Sequence, residues 1–120
     1  MENDMELLKR LENWGCDIEG AMDRFLGDEE LYIECLHTAC EEPSFEKLGE
    51  DLAAGNVKEA FEAAHCLKGV LANLGLEPML AITVQLVEPL RAGKSENLLP
   101  YYKELLAARE TFRTMLKEAE

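Results

Sequence analysis

One histidine, His65, stands in the middle of a long helical pattern. From Asn56 to Leu74 the apolar residues recur every three or four positions, which is the spacing of a single buried helix face. At about 100° of rotation per residue, the His65 side chain lies about 125° from the centre of that face. We therefore predict that its imidazole, which is a nucleophile near neutral pH, reaches solvent.

The residues one turn after His65 are unusual for an exposed part of a helix. Gly69 costs about 0.5–1 kcal/mol relative to alanine and adds nothing to the core. Its missing side chain lets another macromolecule approach the imidazole closely, and Lys68 can bring an ammonium group to the same point. An exposed nucleophilic nitrogen, a nearby cation and a smooth surface suit the transfer of a phosphoryl group between two proteins.

Two runs of sequence around His65 form a motif. They are Ala64-His65-Cys66-Leu67-Lys68-Gly69 and Ala72-Asn73-Leu74-Gly75. They resemble the motif of the histidine-containing phosphotransfer (HPt) domain in its stand-alone form, and further similarity covers residues 24–32, 86–88 and 91–93. The motif usually has a small residue where this chain has Leu71. Because Leu71 falls on the apolar face, we expect altered packing there rather than lost function.

The resemblance implies that the chain is an intermediary in phosphorelay signal transduction. His65 would accept a phosphoryl group from the aspartyl phosphate of a response-regulator receiver domain, such as one in a hybrid histidine kinase, and a second receiver would take it. Lys68 would stabilise the phosphoryl oxygens. Such a receiver brings its own Mg²⁺, so we expect no cofactor in this chain. The sequence has no glycine-rich nucleotide loop, and we expect no autokinase activity from ATP.

The receiver should dock on the surface around His65. The predicted docking residues are Gly69, Ala72, Asn73 and Leu76 on the same side of the helix, with Gln85 from the following helix as a weaker candidate. Transient signalling contacts of this kind are small. We therefore expect modest affinity and fast exchange between partners.

Length and charge restrict the possible partners. A chain of 120 residues has room for one domain, and its formal net charge of −13 opposes binding to nucleic acids and to anionic membranes. The first residues lack the basic and apolar segments of a secretory signal, and no stretch approaches the ~20 apolar residues that span a bilayer. We expect a cytoplasmic monomer that binds other proteins. Its cysteines should then be reduced thiols.

Glycines divide the chain into helices. Each of five glycines follows a run of helical periodicity, at the position where a left-handed residue ends a helix: Gly15, Gly27, Gly55, Gly75 and Gly93. No segment alternates with a period of two, so we predict an all-α fold, an antiparallel up-and-down four-helix bundle with extra short N-terminal helices. One domain should cover residues 1–120, with capping helices in 1–27 and the bundle in 28–119.

Local signals give the predicted ends and inner faces of several helices. Residues 28–54 form either two helices or one helix that is kinked at Pro43. The first helix should turn Met5, Leu8 and Leu11 inward. Four polar residues are candidate N-caps: Ser44 for the helix after Pro43, Asn56 for the His65 helix, and Ser95 or Asn97 for the last helix.

Other interpretations of these residues remain open. A helical interaction module without phosphate chemistry would also have a surface histidine, and Lys68 could be an ordinary solvated lysine. Glu62 could orient the imidazole, although a surface charge is the simpler interpretation. A helical metal protein would need Glu-x-x-His pairs from several helices, whereas the Glu62 and His65 pair supplies at most one half. An acid-labile phosphate on the chain distinguishes these functions.

Two further residues carry weaker signals. Cys66 is adjacent to His65, but neighbouring residues on a helix point about 100° apart, so the two side chains are poorly placed to share a metal ion. His37 has no comparable motif around it. We interpret His37 as structural or solvent-facing.

Overall fold

Helical periodicity interrupted by glycines gives this chain seven α-helices over residues 2–120, which is the part that the computed structural model describes, apart from the side chain of Glu2. The helices are α1 (Glu2–Trp14), α2 (Ile18–Arg24), α3 (Glu29–Cys40), α4 (Ser44–Ala54), α5 (Val57–Asn73), α6 (Glu77–Arg91) and α7 (Leu99–Glu118). Residues 2–120 contain no strand. The predicted all-α class is confirmed.

The turns between helices depend on residues with a positive φ. All five predicted glycines have one, from +70° at Gly75 to +112° at Gly15. A side chain is rarely tolerated in this backbone conformation, whereas glycine adopts it freely. The glycines therefore end the helices as predicted.

The four consecutive helices α4, α5, α6 and α7 form the bundle. Helix α5 packs against α4 on one side and α6 on the other, while α7 packs against α6 and also contacts α4. Connections this short make sequential helices antiparallel. The predicted up-and-down bundle is confirmed. Residues 28–54, which were predicted to form either two helices or one kinked helix, form two helices, α3 and α4, on either side of Pro43. Helix α1 contacts α2 and α7, and α2 contacts α3. The proposed division at residue 27 stays a prediction.

The buried face of α5 matches its apolar pattern. Ala60, Ala64, Leu67 and Leu71 are buried, and Leu71 is only 1 % exposed. The residue that departs from the HPt motif is thus a core residue, as expected. None of the helices in residues 2–120 combines the length and apolarity that crossing a bilayer requires.

Two predictions about helix faces and caps are wrong. Met5 is 60 % exposed, because α1 turns Leu7 and Leu11 toward the core instead. Ser44 does not cap α4, since it lies inside the helix and its hydroxyl donates to Glu42 Oε1 at 3.0 Å.

The remaining predicted caps also differ from the structure. Asn56 occupies the N-cap position of α5 but its side chain makes no capping hydrogen bond. The N-cap of α7 is Leu98 rather than Ser95 or Asn97, and Asn97 instead takes a positive φ of 63° in the loop. Side-chain caps are made by Asp17 on α2 and by Asp28 on α3.

Arg109, a buried residue of α7, connects the C-terminal end of α3 and the N-terminal end of α4 to α7. Arg109 of α7 donates from Nε to the Cys40 carbonyl at 2.8 Å and from Nη1 to Glu46 Oε1 at 2.8 Å. Its guanidinium carbon also lies 4.5 Å from the centre of the Phe45 ring. The hydrogen bond to Glu46 lowers the pKa of that carboxyl. Arg109 therefore fastens the end of α3 and the start of α4 to α7.

Candidate functional site

His65 lies in the middle of α5 and is exposed to solvent, as the helical pattern predicted. The preceding residue Ala64 and the following core residue Leu67 are both fully buried. The helix is therefore held firmly by its inner face. Its outer face presents the imidazole at a fixed position on the surface of the bundle.

Phe61, one turn before His65, is in contact with the imidazole. The two ring centres are 5.6 Å apart and the ring planes meet at 26°, which is a stacked arrangement. On α6, the guanidinium carbon of Arg91 lies 5.2 Å from the centre of the Phe61 ring. Arg91 Nε also donates to Glu88 Oε2 at 3.3 Å. The imidazole, the phenyl ring and the guanidinium thus form one connected group across α5 and α6.

Gly69, one turn after His65, leaves open space on the other side of the imidazole. A Cβ atom built there would have no other atom within 4 Å, apart from its own helix turn and chain neighbours. The core therefore gives no reason for a glycine at this position. Lys68 is half-buried, and within residues 2–120 no ion pair or hydrogen bond engages its ammonium group.

The C-terminal end of α5 is fastened to the N-terminal helices. Arg24 donates from Nε to the Asn73 carbonyl at 2.8 Å and from Nη2 to the Ala72 carbonyl at 3.0 Å, and the Tyr32 hydroxyl donates to the Leu74 carbonyl at 2.7 Å. Carbonyls at a helix end have no partner within the helix, and a cation there also complements the helix dipole. These contacts fix the end of the helix that carries His65.

Because Gly75 has no side chain, the end of α5 approaches Asp17 closely enough for one further hydrogen bond to the N-terminal helices. The Gly75 carbonyl accepts a hydrogen bond from the Asp17 amide at 2.8 Å, and a Cβ atom on Gly75 would lie 2.3 Å from the Asp17 carbonyl oxygen. That clash with backbone could not be relieved by moving a side chain. A glycine is therefore required here for its lack of a side chain as well as for its positive φ of 70°.

A family model for the Hpt domain matches residues 21–120 of the 120-residue chain. The chain belongs to the Hpt domain family. No curated protein and no solved structure gave a significant match. Membership implies histidine-containing phosphotransfer in phosphorelay signalling and interaction with response-regulator receiver domains. Hpt domains are intermediaries in phosphotransfer rather than kinases. Helix α1 of this Hpt domain lies outside the matched residues.

The structure places most of the predicted docking residues of this Hpt domain on the surface. Ala72 and Asn73 are exposed on α5, and Gln85 is exposed on α6. The prediction for Leu76 is wrong, because this residue is 0 % exposed. After Gly75 the chain turns inward, the Leu76 amide donates to the Leu71 carbonyl at 3.0 Å, and the side chain enters the core at the start of α6.

Two hollows lie beside the exposed face of α5. One, of about 250 Å³, separates α3 from the second half of α5 and is lined by Cys35, Ala39, Val70 and Leu74 among others. The other, of about 390 Å³, lies beside Phe61 and is lined by Val57, Lys58, Leu90 and Arg91 among others. Both hollows are mainly apolar, but the charged residue in the lining of the first is Glu42, whereas those in the lining of the second are Lys58 and Arg91.

Phe61 and Arg91 are the residues that sequence reasoning missed. The apolar pattern placed Phe61 on the buried face, and the spacing of four residues from His65 was the signal that could have indicated a contact. Arg91 approaches from α6, which no pattern within α5 can show. Glu62, which the sequence offered as a possible partner of the imidazole, makes no hydrogen bond to His65 in the part of the chain that the structure describes.

The other candidates lie apart from this group. Cys66 is exposed, with its sulfur 4.0 Å from Glu42 Oε1. His37 is exposed in the last turn of α3 and lines a cleft of about 520 Å³ with Arg113 and Lys117 of α7. Within residues 2–120 no group of three or more His, Cys, Asp or Glu side chains is placed to hold a metal ion.

Proposed function

We propose that this Hpt domain accepts a phosphoryl group on His65 from the aspartyl phosphate of one receiver domain and passes it to another. It would do so as a cytoplasmic monomer that serves as a relay between receivers, one of which could belong to a hybrid histidine kinase. The observation that carries the proposal is the pairing of an exposed imidazole with open space at Gly69 one turn away.

The chemistry requires an unprotonated ring nitrogen that can reach phosphorus. Its lone pair forms the new nitrogen–phosphorus bond while the bond between phosphorus and the aspartyl oxygen breaks, and the departing carboxylate keeps that electron pair. The other ring nitrogen keeps its proton during the step. Transfer to the second receiver is the reverse process on a different aspartate. His65 supplies only the nucleophile, so the remaining requirement is close and aligned approach.

Gly69 and Lys68 would serve that approach in different ways. The surface at Gly69 has no side chain, which leaves room for the loops of a receiver around its aspartyl phosphate. Lys68 carries an ammonium group three residues from His65 that no carboxylate within residues 2–120 neutralises. Its charge is available to contact the phosphoryl oxygens on His65. We expect Ala72, Asn73 and Gln85 to contribute docking surface around this centre.

The proposal assigns no cofactor to this chain. Mg²⁺ is expected in the receiver, where it would neutralise the aspartyl phosphate before and during transfer. This Hpt domain would provide the histidine, the nearby cation and the docking surface. It would therefore depend on a phosphorylated receiver and would not use ATP directly.

The test is to incubate the full chain with a receiver labelled on its aspartate, with Mg²⁺ and without ATP. We expect one phosphate per chain that is stable in base and lost in acid, as a phosphoramidate is, and no labelling of the His65→Ala variant. Because His65 is exposed and its side-chain contact is the stacking on Phe61, this substitution should change the free energy of unfolding by less than about 1.5 kcal/mol. Labelling that persists in His65→Ala would contradict His65 as the acceptor, and labelling of the purified chain by ATP alone would contradict its dependence on a receiver. No labelling of the wild-type chain would return the protein to the class of interaction modules.

A further inference from the structure

We propose that Phe61 and Arg91 are positioning residues for phosphoryl transfer: the Phe61 ring holds the His65 imidazole in one orientation, and Arg91 holds the Phe61 ring. This inference rests on the role of His65 as acceptor that is proposed above. It adds two residues that do not touch the phosphoryl group and act through the imidazole.

The first step of the argument concerns the freedom of the imidazole. An exposed histidine on a helix can occupy more than one side-chain rotamer, and its ring can turn about the last bond. Only some of these orientations direct a ring nitrogen along the line of attack on phosphorus. The Phe61 ring lies 5.6 Å from the imidazole and within 26° of parallel, so it covers one face of the ring and favours one orientation.

The second step concerns what holds Phe61. The side chain is only half-buried, and it forms one wall of the hollow of about 390 Å³ between α5 and α6. The Arg91 guanidinium lies 5.2 Å from its ring centre, within the range of a cation–π contact, and Glu88 accepts a hydrogen bond from Arg91 Nε. Arg91 thereby connects α6 to the ring that orients His65.

The kinetic test uses single-turnover transfer from a phosphorylated receiver at several receiver concentrations. The variant Phe61→Leu keeps an apolar side chain with good helix propensity but removes the ring. We expect its maximal transfer rate to fall about three- to tenfold, which is the effect of losing one aromatic pair. The receiver concentration for half-maximal rate should stay within about twofold, because docking residues are untouched. Phe61→Tyr should restore the rate.

A matched control and a spectroscopic measurement separate positioning from general damage. Tyr101→Leu also removes a partly exposed aromatic ring, from the start of α7, and should leave the rate unchanged. In proton NMR spectra the ring current of Phe61 shifts the carbon-bound protons of the His65 ring. We expect these resonances to move toward their positions in an unstructured peptide in Phe61→Leu and to stay in place in Tyr101→Leu and Phe61→Tyr.

A double-substitution cycle tests the role of Arg91. Arg91→Ala should lower the maximal rate by less than Phe61→Leu does. If Arg91 acts through the phenyl ring, the double variant should be no slower than Phe61→Leu alone, because the two effects are not independent. If the two losses multiply, Arg91 contacts the receiver or the phosphoryl group by itself, and its assignment as a positioning residue is wrong.

The outcomes also separate this inference from the proposed function. If the wild-type chain accepts no phosphoryl group from a receiver, the proposed function fails and this inference fails with it. If the wild-type chain transfers normally and Phe61→Leu matches its maximal rate, or leaves the His65 proton resonances in place, the inference about Phe61 fails while the proposed function stands.

Discussion

The surroundings of His65 and His37 differ although both residues are exposed on helices. His65 lies in the middle of α5, with an aromatic ring on one side and open space at Gly69 on the other. His37 lies in the last turn of α3, in a cleft walled by side chains of α7. The His65 imidazole therefore has open surface on its Gly69 side, whereas the exposed His37 borders a cleft between α3 and α7.

The charges around the two histidines differ as well. The cleft at His37 contains Arg113, but Arg113 is paired with Glu41 and Glu110, and the cleft also contains Glu120. A phosphoryl group on His37 would also lie at the negative end of the α3 dipole. The Arg113 guanidinium in this cleft is thus already paired, and the helix end at His37 is negative, so we expect His37 to be a poorer phosphoryl acceptor than His65. Lys68, in contrast, makes no ion pair within residues 2–120.

The largest effect should come from closing the open side of His65. Gly69→Gln should lower the rate of transfer from a receiver on the order of 100-fold, because a displacement of about 1 Å at the reacting atoms can have an effect of that size. Thermal stability should hold or rise slightly, since glutamine favours a helix more than glycine does. Single-turnover transfer and thermal unfolding measure the two quantities separately.

The control for this substitution is Ala107→Gln, which adds the same side chain at an exposed position of α7. It should leave transfer unchanged. Equal transfer rates for Gly69→Gln, Ala107→Gln and the wild type would show that the space at Gly69 has no role in docking.

The second largest effect should come from substituting Arg109, and it should be on stability rather than on phosphoryl transfer. Arg109→Met keeps the apolar stem but removes the donors to the Cys40 carbonyl and to Glu46. We expect the free energy of unfolding to fall by about 2–3 kcal/mol. Urea unfolding measures it, with Arg10→Met, which removes one surface ion pair to Glu118, as a control that should change stability by less than about 1 kcal/mol. Similar stabilities for the two variants would contradict a structural role for Arg109.

This substitution also has a consequence for pH dependence. The pKa of Glu46 is lowered in the folded state by its hydrogen bond to Arg109. The stabilisation is therefore present above the ordinary pKa of a glutamate and is lost as the pH falls through the lowered value. Arg109→Met should remove this part of the acid sensitivity. The transfer rate of the folded variant should stay within about twofold of the wild type, because the hydrogen bonds and ion pairs of Arg109 and Glu46 involve none of His65, Lys68, Phe61 and Arg91.

The smallest effect should distinguish Lys68, which makes no ion pair within residues 2–120, from Arg113, which is paired with two carboxylates. Lys68→Ala should slow transfer or shorten the lifetime of the phosphorylated product about three- to tenfold, since one charge-assisted contact contributes on the order of 1 kcal/mol in a hydrated site. Arg113→Ala, on the His37 side, should leave both quantities unchanged. A larger loss in Arg113→Ala than in Lys68→Ala would reverse the interpretation of the two regions.

The bounds of the His65 helix, the exposure of His65 and the family could be predicted from the sequence. Periodicity and the glycines at positions 55 and 75 gave the bounds of the His65 helix to within one residue, because both reflect local backbone and burial preferences. The exposure of His65 followed from the same pattern. The identity of the motif then gave the family.

The rest depended on contacts between helices, which no single pattern contains. The Arg91 and Phe61 contact joins α5 to α6, and the burial of Leu76 follows from the direction of the chain after Gly75. The apolar residues of α1 fit two helix faces, one that includes Met5 and one that includes Leu7, and packing against α7 selects the face with Leu7 and Leu11. Long-range packing therefore decides between local patterns that are equally good.

The most direct measurement of the central claim locates the phosphate. The wild-type chain, labelled by a phosphorylated receiver with Mg²⁺, is digested at alkaline pH and its peptides are sequenced by tandem mass spectrometry. We predict one phosphoryl group, on His65, and none on His37. A phosphate on His37 or on any residue other than His65 would contradict the assignment of the open face of α5 as the site of transfer.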